Sequence, residues 1–263
     1  MACQLPCVKE MFVPEVAEAF QAAGINALVY DPRNLGDSDG QPRLEIDPAA
    51  QVSDYSDALT FLLGQPSVDG SRISFWGMSF SATIALCAAA LDKRAKHCIA
   101  ACPYLDLRPP PEKVRQVLAK CIKDRESRSA GNPPTYLPML TAAGTNPAGL
   151  NMQLTGEEQQ MVATAQQRIP NFVLKTTVET YLKLFIWSPA ETINYVAPTP
   201  VFMIVPEHDS WSPPERQQEL FESLRCPTKR LEVVPGKGHL TLFTGDGFQD
   251  LMQKQVGFLT SAQ

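Results

Sequence analysis

The sequence predicts an α/β domain: a mostly parallel sheet with helices on both faces and a helical cap inserted before a late strand. Three observations point there. Short apolar, β-branched runs alternate with segments of helical period along most of the chain. The runs are apolar throughout, as strands covered on both faces must be, instead of alternating apolar and polar. Between two of these runs, residues 102–200 carry helical patterns and no strand signal. Strand–helix alternation of this kind builds one layered unit, so a single domain over 1–263 is expected, with the cap at 103–196.

Taken in order, a helix over 14–23 places Val13, Val16, Phe20 and Ala23 on one face, and Gly24 closes it. Residues 25–30 (INALVY) read as a strand, and 31–40 (DPRNLGDSDG) is a loop dense in turn formers. A helix over 48–63 buries Val52, Tyr55, Leu59 and Leu62 at helical spacing. A strand at 73–76, a small-residue helix at 81–91 and a strand at 96–101 follow. Strands at 201–205 and 230–234 flank a helix at 214–224, and a last helix spans 248–259. Within the cap, helical patterns cover 112–126, 156–168 and 176–187.

Composition excludes several classes. With 44% hydrophobic and 19% charged residues the chain is too apolar for disorder. Lys and Arg number 23 against 28 Asp and Glu, a net charge of −5, which argues against a nucleic-acid partner. The longest apolar run, 82–91, falls short of the roughly 20 residues a bilayer requires. The first residues, MACQLPCVKE, lack both a secretory and a transit pattern, so a cytoplasmic protein is expected. The seven cysteines form no C-x-x-C pair and have no ligand-spaced His or carboxylate, so reduced thiols and no metal site are expected. No G-x-G-x-x-G follows a predicted strand and no P-loop is present, so no cofactor is expected.

The most informative residues are Gly77-Met78-Ser79-Phe80-Ser81, between a strand and a small-residue helix. A nucleophilic serine at a strained strand-to-helix elbow needs small neighbours two before and two after, the G-x-S-x-G pattern. Here Ser81 stands at the last position and is nearly as small as glycine. In the α/β-hydrolase fold the order along the chain is Ser, acid, His. Glu207 and Asp209 compete for the acid; Asp209 lies closer to the proline-rich helix start and is favoured, the bland reading being helix capping, which Ser212 could do instead. Of the three histidines, His97 lies within a strand and His208 breaks the expected order, which leaves His239 as the base. His239 would take the Ser79 proton, Asp209 would hold the imidazole, and backbone N–H groups of Phe80 and Leu5 would receive the oxyanion. The Leu5 loop departs from the usual His-Gly: it reads Cys3-Gln4, and Pro6 has no N–H to offer.

The stretches VKEMFVPEVAEAF, LVYDPRNLGDSDG, DYSDALTFL, WGMSFSATIALCAAALDKR, GNPPTYLPML, PTPVFMIVPEHDSWSPPE and PGKGH span the chain in order. They resemble the α/β hydrolases of fungal secondary-metabolite clusters, some of them toxin clusters, called the polyketide transferase family after the fumagillin enzyme. The resemblance implies that Ser79, Asp209 and His239 occupy the family's triad positions, and that N-terminal strands are missing from a shortened chain. It also implies release or transfer of an acyl chain, delivered by a polyketide synthase, to water or to an alcohol. Tyr136, Phe172, Tyr181, Phe185 and Trp187 could line an acyl pocket under the cap, or simply pack it onto the sheet. The alternative to a serine hydrolase or acyltransferase is a catalytically weak relative serving as a scaffold or cyclisation aid for a polyketide intermediate, motivated by the altered Cys3-Gln4 loop. Neither membrane nor nucleic acid is an expected partner, and a homodimer is allowed.

Overall fold

The structure, a computed structural model, describes residues 1–2, 5–141 and 143–261. Helices α1 (Val13–Ala22) and α2 (Pro48–Leu63) lead into β1 (Phe75–Met78), α3 (Phe80–Leu91) and β2 (Cys98–Ala101). An insertion follows: α4 (Pro111–Ser129), β3 (Tyr136–Pro138), α5 (Gly156–Arg168), β4 (Lys175–Thr177), α6 (Val178–Ile186) and α7 (Pro189–Ile193). The chain then completes the sheet with β5 (Val201–Pro206), α8 (Pro214–Ser223), β6 (Lys229–Val234) and α9 (Phe248–Thr260).

The main sheet has the order β1-β2-β5-β6. Every pair is parallel, with Met78 opposite Ala101, Ala101 opposite Ile204 and Pro206 opposite Val234. The carboxyl ends of the four strands therefore share one rim, where α/β sheets place their ligands. β1, β2 and β5 are buried along their whole length, which is why their sequences do not alternate. Helix α3 is buried from Phe80 to Ala90. Its Ala, Ser, Thr and Cys side chains let it lie close against β1 and β2.

Residues 25–30 are a correction to the sequence reading: they form no strand. A strand exists by pairing, and here a cavity of about 520 Å³ separates the segment from β1, lined by Ile25, Leu28 and Tyr30 from one and Phe75 and Trp76 from the other. The first two residues reach across. The Met1 amine donates to the Leu28 carbonyl at 2.8 Å and Ala2 bridges Gly77. The insertion is a second correction, because β3 and β4 pair antiparallel where no strand was expected. Ser212 does not cap α8; its Oγ donates to the Pro103 carbonyl at 2.7 Å.

Among the described residues no helix is long and apolar enough to cross a membrane. Cys7, Cys87, Cys98, Cys102, Cys121 and Cys226 are all buried and free.

Candidate active site

Three side chains distant in sequence meet at the carboxyl rim. Ser79 directly follows β1, Asp209 follows β5 and His239 follows β6. The Ser79 Oγ lies 2.6 Å from His239 Nε2. On the other side of the ring, Nδ1 lies 2.9 and 2.8 Å from Asp209 Oδ1 and Oδ2. A carboxylate only accepts, so Nδ1 must carry the ring proton and Nε2 is left with a lone pair facing the serine hydroxyl. That tautomer is the one in which His239 can take a proton from Ser79.

The local backbone explains the serine's placement. Ser79 has φ 59° and ψ −124°, a conformation unfavourable for any residue with a Cβ and costing on the order of 1–3 kcal/mol. The Ser79 N–H donates to the Ala101 carbonyl at 2.8 Å, and the Tyr55 hydroxyl pins the Trp76 carbonyl at 2.9 Å. At Gly77 a Cβ would overlap the Ser81 carbonyl of the helix that turns back over it. The glycine two before the serine is therefore a steric requirement, and the tight spot two after it holds Ser81 without a clash of that kind.

Asp209 is held as firmly. Its Oδ1 accepts the N–H groups of Trp211 and Ser212, both at 2.9 Å, and its Oδ2 accepts Gln217 Nε2 at 2.9 Å. Its side chain and that of His239 are fully buried, and Ser79 is 1% exposed. In such surroundings a fixed charge acts with little screening. The competing acid, Glu207, is half exposed and accepts the Gly236 N–H at 2.8 Å instead. His97 packs edge-on against Phe258, and His208 pairs with Glu207.

Cys102, at the end of β2, completes a group with Asp209 and His239 whose potential ligand atoms lie within 4.8 Å of one another. Burial, and after it the Asp209 charge, pushes this thiol well above its ordinary value.

Phe80, one of the two expected oxyanion donors, is the first residue of α3. Leu5 is buried near the start of the chain, while Cys3 and Gln4 lie outside the described residues. Among the five aromatic residues expected in the cap, Trp187 sets its ring edge-on to Phe80 with centroids 5.6 Å apart. Tyr136 donates to the Arg43 carbonyl, Tyr181 receives Asn146 Nδ2, Phe172 is buried and Phe185 is partly buried.

Residues 11–246 match the Hydrolase_4 family model, described as "Serine aminopeptidase, S33". The chain belongs to this α/β-hydrolase family. It is 51% identical over 254 residues to a protein of Eupenicillium brefeldianum named "Thiohydrolase", a match covering 96% of this chain and 82% of that one. It is 43% identical over 258 residues to "Polyketide transferase claH" of Penicillium crustosum, covering 96% and 83% respectively. A solved structure of DcsB in complex with its substrate analogue superposes with a TM-score of 0.93 at 40% identity, covering 98% of this chain and 88% of that one. The hydrolase GrgF from Penicillium sp. sh18 superposes with a TM-score of 0.88 at 35% identity, covering 98% and 87%. The resemblance to the polyketide transferase family, read from the motifs, therefore holds across the chain.

Several site residues escape a reading of the sequence. Trp211 stacks on the His239 ring, with centroids 4.8 Å apart and planes 16° from parallel. Gln217 is fully buried beneath Asp209, and Tyr104 stands edge-on to the imidazole at 6.2 Å. Trp211 lies two residues past Asp209 in Asp-Ser-Trp-Ser, a proximity that could have drawn attention to it. Nothing in the sequence marks Gln217 or Tyr104.

Proposed function

We propose that this protein is a serine-dependent acyl hydrolase or acyltransferase acting on a polyketide-derived ester or thioester. One observation carries the reading: the continuous line of hydrogen bonds from Ser79 Oγ through the imidazole to Asp209. In the proposed reaction His239 Nε2 takes the hydroxyl proton as Oγ attacks the acyl carbonyl. Negative charge develops on the carbonyl oxygen beside the Phe80 N–H, at the start of α3, where the helix dipole favours an anion. The imidazolium, steadied by Asp209, then protonates the departing thiolate or alkoxide. The acyl group remains on Ser79 until water or an alcohol, deprotonated in turn by His239, displaces it. The proposed partner is a small acyl substrate handed over by a polyketide synthase. The relatives named thiohydrolase, polyketide transferase and acyltransferase support this substrate class.

Intact-mass analysis of the protein incubated with a polyketide thioester surrogate tests the reading. The expected product is protein plus acyl group with loss of free thiol, absent from Ser79→Ala. A folded protein that neither gains the adduct nor turns over the thioester would instead favour a non-catalytic scaffold.

A further inference from the structure

Hydrogen bonds at the two ring nitrogens of His239 fix their direction, together with the Cβ–Cγ bond, but resist small out-of-plane tilts only weakly. Contacts on the faces of the ring stiffen its plane. The indole of Trp211 lies almost parallel to it at 4.8 Å, and the edge of Tyr104 meets it at 6.2 Å. Both aromatic side chains are tied at their polar ends to the same short stretch of the insertion. Trp211 Nε1 donates to the Gln153 carbonyl at 3.0 Å, and the Tyr104 hydroxyl donates to the Asn151 carbonyl at 2.8 Å. The side chain of Asn151 returns the connection, its Nδ2 donating to the carbonyls of Ser210 at 2.7 Å and Trp211 at 3.0 Å. Further along the insertion the buried carboxylate of Glu158 accepts the N–H of Leu240, the residue after His239, at 3.2 Å.

We propose that Trp211 is a positioning residue for His239, its indole pressed against the imidazole by the 151–153 strap of the insertion. The inference rests on the reading of His239 as the base for Ser79. Its consequence is that the insertion does more than roof a pocket: it sets the plane of the ring that moves the proton. The indole face also favours the positive charge that the ring gains when it takes the proton, since Trp is the strongest aromatic partner for a cation.

The test compares Trp211→Phe, Trp211→Leu and Asn151→Ala in the full chain. The readouts are kcat and KM on a p-nitrophenyl ester, together with the low-field proton resonance of the His239 Nδ1–H bond to Asp209. Trp211→Leu removes the stacked plane and is expected to lower kcat by about tenfold or more, with KM changed by less than about threefold. Trp211→Phe keeps a plane and is expected to recover kcat to within about threefold of the parent. Asn151→Ala leaves both rings in place but loosens the strap, and is expected to lower kcat and broaden the low-field resonance. Because the Asn151 side chain reaches the surface, this variant decides the matter if Trp211→Leu fails to fold. Wild-type kcat and an unshifted resonance in Trp211→Leu, or in Asn151→Ala where the leucine variant is unfolded, would overturn the proposal. So would a phenylalanine variant no better than the leucine one. If the parent proves inert toward esters, the catalytic reading fails; the resonance still decides whether Trp211 and the strap hold the ring.

Discussion

Replacing Asp209 with asparagine removes one charge and almost no volume, yet it should nearly abolish turnover. In the native site the carboxylate faces four donors: the N–H groups of Trp211 and Ser212, Gln217 Nε2 and His239 Nδ1. An asparagine can keep its oxygen toward the two backbone N–H groups, which share Oδ1. Its NH₂ then stands where Oδ2 was, between Gln217 and His239. Gln217, whose Oε1 has no partner, can accept there only by giving up the bond its Nε2 makes to the Ser212 carbonyl at 2.6 Å. The imidazole can satisfy the new donor only by placing its proton on Nε2 and offering the lone pair of Nδ1. That tautomer points N–H at Ser79 and cannot take its proton. An amide in place of a buried triad acid costs about 10⁴ in kcat, or about 5.4 kcal/mol at 1.36 kcal/mol per decade. The assay is kcat on an activated ester for Asp209→Asn beside the parent, with circular dichroism to establish that both are folded. A folded variant that retains kcat to within about tenfold would refute the tautomer argument.

Gly77→Ala drives a methyl group into the Ser81 carbonyl, and should cost about 3 kcal/mol and lower Tm by about 6 °C or more in a thermal melt. Asp47 caps α2 by accepting the Ala50 N–H at 3.1 Å and pairs with Lys183 at 2.8 Å, so Asp47→Ala should cost about 1 kcal/mol and lower Tm by about 2–4 °C. Burial pushes the Asp47 carboxyl up, but the Lys183 and Ala50 hydrogen bonds outweigh it and hold it below its ordinary value. A carboxyl held low stabilises the fold above its unfolded value, and that gain is lost as pH falls through the folded one. The gap in Tm between parent and Asp47→Ala should accordingly narrow below about pH 4. Burial raises the Cys87 thiol to about 12 and also raises Cys102. Peptide mapping after iodoacetamide treatment at pH 8 should find both unmodified in the native protein and both modified in denaturant.

The parts of this molecule that could be read from sequence are those whose cause is local. The elbow at 77–81 is legible because a strained turn demands small residues at fixed offsets, and Gly77 meets the Ser81 backbone for that reason. The helices 48–63 and 156–168 are legible in full from their periodicity, and the structure adds their Asp47 and Thr155 caps. Residues 25–30 have the composition of a strand and lack the neighbour that would make them one. Composition cannot supply a hydrogen-bonding partner. The β3–β4 pair joins Tyr136 to Thr177 across most of the insertion, and three-residue strands leave too short a pattern to notice. The surroundings of His239 were hidden for a related reason. Trp211, Tyr104 and the 151–153 strap come from separate segments, and only the folded chain shows that they converge on one ring.

The most direct test of the account is covalent. A fluorophosphonate probe should modify the folded protein once, on the peptide that contains Ser79, and both Ser79→Ala and His239→Ala should lose the modification. Folded parent protein that stays unmodified, or that reacts equally well without the imidazole, would contradict the claim that His239 activates Ser79 as a nucleophile.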